Sequence, residues 1–231
     1  MYLQLFVIAV LPGIALALAA YLTDRFDREP LSLLGKVFLF GALSVIPTAL
    51  VEGILSRFNI FIGVIGIAYT AFIVAGFTEE LIKRFVVMKF AFKNPAFNEK
   101  LDGIIYAVFA SLGFATAENI IYVVFRFATN PYVGLSRGIF SVPAHMLFAV
   151  TMGYYLSLSK FCIYPKLSRV YYRKALTVPL VLHGIFDFIL MYGNGFVFLV
   201  FFPFIIYLWV ANLRKLNIYY KDSKERSSNL D

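Results

Sequence analysis

Eight side chains are the best candidates for chemistry. They are Glu79, Glu80 and Lys83 in "FTEELIKRF" (77–85), Glu118 and Asn119 in "GFATAENIIY" (113–122), His145 in "SVPAHMLF", and His183 and Asp187 in "VPLVLHGIFDF". Each sits in an otherwise apolar run. An ionisable group inside such a run costs about 2.5–3.5 kcal/mol or more if the run crosses a bilayer, so it calls for a functional or pairing reason. Both histidines of the chain lie in these runs. Carboxylates with imidazoles allow hydrolysis, in which a glutamate takes a proton from water while histidines polarise a carbonyl or bind a metal. The same groups also allow transport of protons or a cation. No nucleophile-elbow glycine pattern accompanies a serine, which leaves Ser111 and Ser141 without motivation as nucleophiles.

The spacing within each run adds detail. Glu79 and Lys83 are separated by four residues, as are Glu80 and Arg84, so on a helix each pair shares a face. His183 and Asp187 have the same spacing, which lets the carboxylate orient the imidazole or join it as a ligand. Pro143 and Pro179 precede the two histidines and open the backbone beside each ring.

The elements that must position these groups are membrane helices. Of 231 residues, 61% are hydrophobic and 15% charged, with a mean hydropathy of +0.82. Apolar runs of spanning length recur from end to end, so the fold class is all-α, a polytopic transmembrane helix bundle. We count about seven spans, with eight as the alternative, at 2–22, 31–55, 61–92, 102–127, 137–158, 174–192 and 195–213. The first run lacks a basic segment before it and is too long for a signal-peptide core, so it reads as a retained span. The third is about 48 Å long at about 1.5 Å per residue, against a core of about 30 Å, so it must tilt, kink near Gly76 or extend into the cytoplasm. One domain, 1–213, is expected, followed by a short basic cytoplasmic tail, 214–231. The net charge of +8 falls between the spans, where orientation signals belong, and does not point to nucleic acid. Basic residues concentrate in alternate loops and in the tail, which predicts an outside N-terminus and a cytoplasmic C-terminus. Cys162 is the single cysteine, so an intrachain disulfide and a multi-cysteine metal site are excluded.

Depth ties the candidates together. Measured from the middle of its span at about 1.5 Å per residue, His183 is central, Glu79 lies about 4 Å to the cytoplasmic side, and Glu118 and His145 lie about 4–5 Å to the outer side. Four costly groups from four spans thus share a slab about 10 Å thick, as one polar site in the bundle core requires.

These motifs carry a resemblance. "EELIK" resembles the EExxK motif of the PrsW family of intramembrane proteases, and "FATAEN" resembles its FxxxEN motif. His145 and "HGIFD" (183–187) resemble its later histidine motifs. The family is in turn similar to the CAAX-protease and bacteriocin-processing superfamily, which has been placed with both metallo- and glutamate-type proteases. The resemblance implies a multi-pass protease of the bacterial plasma membrane that cuts single-span, membrane-anchored anti-sigma factors, making the first, site-1 cut in their extracytoplasmic part. On that reading Glu79 or Glu80 activates water, and Glu118, His145 and His183 are the metal or carbonyl partners, with Zn2+ as the candidate ion. Lys83 balances charge, Asp187 supports His183, and Asn119 donates to the oxyanion.

Overall fold

The computed structural model describes residues 2–193 and 197–228. Among these, seven helical segments are long and apolar enough to cross a membrane. The first is α1 (Tyr2–Thr23). The second is α2 (Leu31–Leu43) continued by α3 (Val45–Ser56) after a break at Ser44, whose hydroxyl donates to the Gly41 carbonyl at 2.6 Å. The third joins α4 (Gly63–Tyr69) to α5 (Thr78–Phe90) through a π-helical stretch, Thr70–Phe77. The fourth is α6 (Lys100–Ile120), ending in π-helical Ile121–Arg126. The fifth runs from α7 (Pro131–Ser136) through π-helical Arg137–Ser141 into α8 (Val142–Lys160). The last two are α9 (Pro165–Tyr192) and α10 (Val197–Ser228).

These bounds follow from local chemistry. Pro165 occupies the first turn of α9, where a missing N–H costs little, so the helix starts nine residues before the apolar run that predicts it. Gly193 ends α9 in the left-handed region at φ 61°. The start of the predicted span 195–213 lies outside the described residues. The expected tail continues as helix to Ser228. Tyr219 donates to the Tyr154 carbonyl there at 3.1 Å, and Asp222 pairs with Lys100 at 2.8 Å.

Large apolar side chains cover the outside of the bundle, among them Leu3, Phe6 and Leu11 of α1, Leu39 and Leu50 of α2–α3, and Leu199, Ile206 and Val210 of α10. Such a surface suits lipid rather than water. The core is built on α6, which packs against α1, α2, α5, α8 and α10. Without a hydrophobic drive between helices in lipid, close approach through small residues holds such a bundle. Gly103 of α6 meets Gly153 of α8, and a methyl group on Gly153 would overlap the Gly103 carbonyl. Gly153→Ala is expected to lower stability by about 1–3 kcal/mol, as overpacking does, and to depress activity by shifting α6 against α8. An unchanged thermal midpoint in detergent would show that the two helices are not held at this contact.

The first connection is tied down too. Buried Glu29 donates its backbone N–H to Asp24 at 2.9 Å and accepts from the Tyr106 hydroxyl of α6. Burial pushes the Glu29 carboxyl up to about 9 and Asp24 up to about 6.

Candidate active site

Three of the site-bearing spans are irregular next to a functional residue. The π-helical stretch 70–77 directly precedes Glu79, 121–126 follows Glu118, and 137–141 precedes His145. Wide turns of this kind are frequent at functional sites, because an extra residue re-aims the side chains beyond it. In the long third span, Gly76 lies inside the wide stretch. A methyl group on Gly76 would crowd the Leu180 carbonyl of α9, and one on Gly184 would overlap the Phe72 ring. These two glycines let the stretch lie against α9, which carries His183.

In the first turn of α5, Glu79, Glu80 and Lys83 are all buried. The Lys83 ammonium lies 3.3 Å from Glu79 Oε2 and 2.5 Å from Glu80 Oε1. The expected Glu79–Lys83 pair forms. The Glu80–Arg84 pair does not, because Glu80 points into the bundle toward Lys83 and His183. Arg84 instead lies over the Tyr172 ring, 4.0 Å from its centroid, and its Nε and Nη2 have no hydrogen-bond partner among the described residues.

Both imidazoles meet this cluster. His183 Nδ1 lies 2.9 Å from Glu80 Oε1, and its Nε2 lies 3.9 Å from Glu79 Oε2 and 3.4 Å from Asp187 Oδ2. His145 Nε2 lies 3.2 Å from Glu118 Oε2, and its Nδ1 lies 3.2 Å from Lys83 Nζ and 3.9 Å from Glu79 Oε2. The ring centroids are 5.2 Å apart at 89°, and Phe148 stacks on His183 at 4.9 Å. In their neutral forms, an Nδ1–H on His183 donates to Glu80 and an Nε2–H on His145 donates to Glu118. The remaining lone pairs, on His183 Nε2 and His145 Nδ1, then both face Glu79. A carboxylate behind each ring fixes its tautomer, as is usual for metal-binding histidines.

Beyond Glu118 the cluster is closed by a pair that the sequence did not reveal. Arg137 Nη2 lies 2.7 Å from Glu118 Oε2, and Arg137 Nε donates to Asn119 Oδ1 at 3.2 Å. The Asn119 amide donates to the Ala9 carbonyl at 2.9 Å. Both polar ends of Asn119 are thus engaged inside the bundle, where they hold α1 and Arg137, and Asn119 does not line the cavity. Arg137 stands at the first position of the predicted span 137–158. Its partner lies in another span, so no helical spacing reveals the pair.

A cavity of about 650 Å³ opens on this cluster, with Glu79, Glu118, Arg137, His145, His183 and Asp187 in its wall. Glu80 and Lys83 stand behind it. Glu52 of α3 also lines it and was not singled out from the sequence. The signal was available, since "ALVEGIL" places an acid in an apolar span.

The residues present fit a metal ion. One ligand atom each from Glu79, His145 and His183 lie within 4.8 Å of one another, all three residues buried. Two imidazoles and one carboxylate form a donor set used by catalytic zinc sites. The cation already beside these donors is Lys83, whose single charge faces the two carboxylates Glu79 and Glu80. The expected donor set of His145, His183 and Glu118 differs in one member, since Glu118 lies on the far side of the His145 ring, against Arg137.

Comparison with known proteins agrees with this arrangement. Residues 29–211 match the family described as "PrsW family intramembrane metalloprotease". The chain is 42% identical to the Protease PrsW of Clostridioides difficile (strain 630), over 97% of this chain and 95% of the relative. It is 37% identical to the Protease PrsW of Geobacillus kaustophilus (strain HTA426), over 90% of this chain and 88% of the relative. For that of Bacillus subtilis (strain 168) the identity is 34%, with 89% and 91% covered. No solved structure matches the chain. Between the two chemistries that composition left open, these matches select hydrolysis over transport. With these motifs, this buried Glu/His cluster and matches along almost its full length, the chain belongs to the PrsW family of intramembrane metalloproteases.

Proposed function

We propose that this membrane protease is a zinc-dependent endopeptidase that makes the site-1 cut in a single-span, membrane-anchored anti-sigma factor. The observation that carries the metallo reading is the pair of imidazoles, each held through one nitrogen by a carboxylate and presenting the other to Glu79. Glu79 Oε2, His145 Nδ1 and His183 Nε2 would hold the ion. A zinc ion there would polarise the scissile carbonyl and lower the pKa of a bound water toward neutrality.

The chain's own residues do the rest. Glu80 and Glu118 orient the two rings, and Lys83 keeps Glu79 and Glu80 from repelling each other. Asp187 lines the cavity beside His183 Nε2 and takes the proton from the attacking water. Arg137 has donors left over from Glu118 and Asn119, and one of them meets the negative charge that develops on the carbonyl oxygen. The outward lean of Glu118 and His145, with the N-terminus outside and residues 1–213 as one membrane domain in the bacterial plasma membrane, supports a cut on the extracytoplasmic side.

The test uses the purified full chain in liposomes with a purified single-span anti-sigma factor. The expected result is one cut in the substrate's extracytoplasmic part, stopped by a zinc chelator and restored by added zinc. Cleavage that persists after the protein has been stripped of metal would place the enzyme among glutamate-type proteases instead.

A further inference from the structure

Glu52 is a carboxylate in a membrane span with no ion pair or hydrogen bond to the described residues. It lines the same cavity as the Glu79 cluster, and the charged groups facing it are Glu79, Glu118, Asp187 and His183. The other acids around the cavity have counter-charges at hand. Arg137 answers Glu118, Lys83 answers Glu79 and Glu80, Asp187 lies 3.4 Å from His183 Nε2, and a divalent ion at the proposed site would add further positive charge among them. Of the arginines in the wall, Arg137 has its charge matched by Glu118, and Arg126 lies over the Tyr122 and Phe127 rings at 5.2 and 5.6 Å. A half-buried acid facing three other acids without a counter-charge is unfavourable, and a hydrogen-bonding role within the fold does not account for it.

The geometry points to Glu52 as a specificity residue, the acceptor for a lysine or arginine side chain of the substrate close to the scissile bond. This rests on the protease reading of the site. The wall that Glu52 shares with the histidines carries apolar side chains, among them Val45, Val74, Phe186 and Leu190, beside the hydroxyls of Thr48 and Ser141. A basic side chain suits such a wall, because its aliphatic stem packs on apolar surface while its cation reaches an acid. Arginine can engage a carboxylate through two parallel hydrogen bonds. A cavity of this volume is about 10 Å across, which an extended chain crosses in about three residues. The basic residue therefore falls within about three positions of the cut.

The test maps the cut by mass spectrometry of the products from the full-length enzyme, then replaces each nearby basic residue of the substrate by glutamine or by glutamate. The expected result is a basic residue within three positions whose replacement by glutamine lowers kcat/KM at least tenfold. In Glu52→Gln this preference for the basic over the glutamine substrate falls to within about twofold of unity. Glu52→Lys inverts the preference, cutting the glutamate substrate better than the basic one, and this rescue also shows that the variant folds. A cut with no basic residue nearby, or a preference unchanged in both variants, overturns the assignment of Glu52 and leaves the protease reading intact. Absence of any cut by the unaltered enzyme, with the substrate intact and inserted, would instead count against the protease reading and this one with it.

Discussion

Glu79→Gln is expected to lower kcat/KM for a single-span substrate by at least about a thousandfold, the range seen when a group central to charge stabilisation is removed. Glu79 Oε2 lies 3.9 Å from a nitrogen of each imidazole, and Glu79 lines the cavity, whereas Glu80 is sealed behind it. The neutral amide keeps the size of the side chain but loses the charge that holds a cation or a polarised water. A purely structural Glu79 predicts a different pattern. As one of two acids on the Lys83 ammonium, its loss would show chiefly as destabilisation, with the surviving folded protein active. Thermal unfolding and cleavage measured on the same preparation separate the two. A folded, fully active Glu79→Gln protein would remove Glu79 from the chemistry.

The second large effect falls on Glu118. Replacement by glutamine takes the negative charge from behind His145 and leaves the Arg137 guanidinium without its counter-ion. Loss of an outer carboxylate of this kind typically weakens metal binding about 10–100-fold. We expect Glu118→Gln to lose zinc in that range in a chelator competition, with activity restored by excess zinc. Glu118 as a direct ligand predicts outright loss of binding that excess zinc does not repair. Unchanged affinity would mean that Glu118 serves Arg137 alone.

Much of this architecture was legible because membrane spans announce themselves by length. The seven apolar runs reappear as seven spanning segments, and the depth argument brought together acids and imidazoles that the structure places in contact. What periodicity encodes, the sequence reading recovered. Glu79–Lys83 and His183–Asp187 lie on one helix at four-residue spacing, and each pair is close in space. Contacts between helices were not recovered. Glu80 has two in-helix cations within reach, Lys83 and Arg84, and only the position of His183 on α9 decides which face turns inward. Arg137 begins its predicted span, and the π-helical turn at 137–141 brings it to Glu118, a partner in another helix. Asn119 follows Glu118 directly, so on a helix it points some 100° away, toward α1 rather than the cavity. Which carboxylate stands near a ring nitrogen of both imidazoles turns on the same limit. Depth alone does not distinguish Glu79 from Glu118, since both fall in the slab, while ring orientation does.

The central claim is that Glu79, His145 and His183 hold one metal ion at the end of this cavity. The direct measurement is metal content per chain, by elemental analysis of protein purified without chelator, for the unaltered chain and for His145→Ala and His183→Ala. The account predicts about one zinc per chain in the first and a loss of most of it in both variants, with the helical fold kept by circular dichroism. A metal-free chain that still cleaves, or one equivalent of zinc retained in both variants, would contradict it.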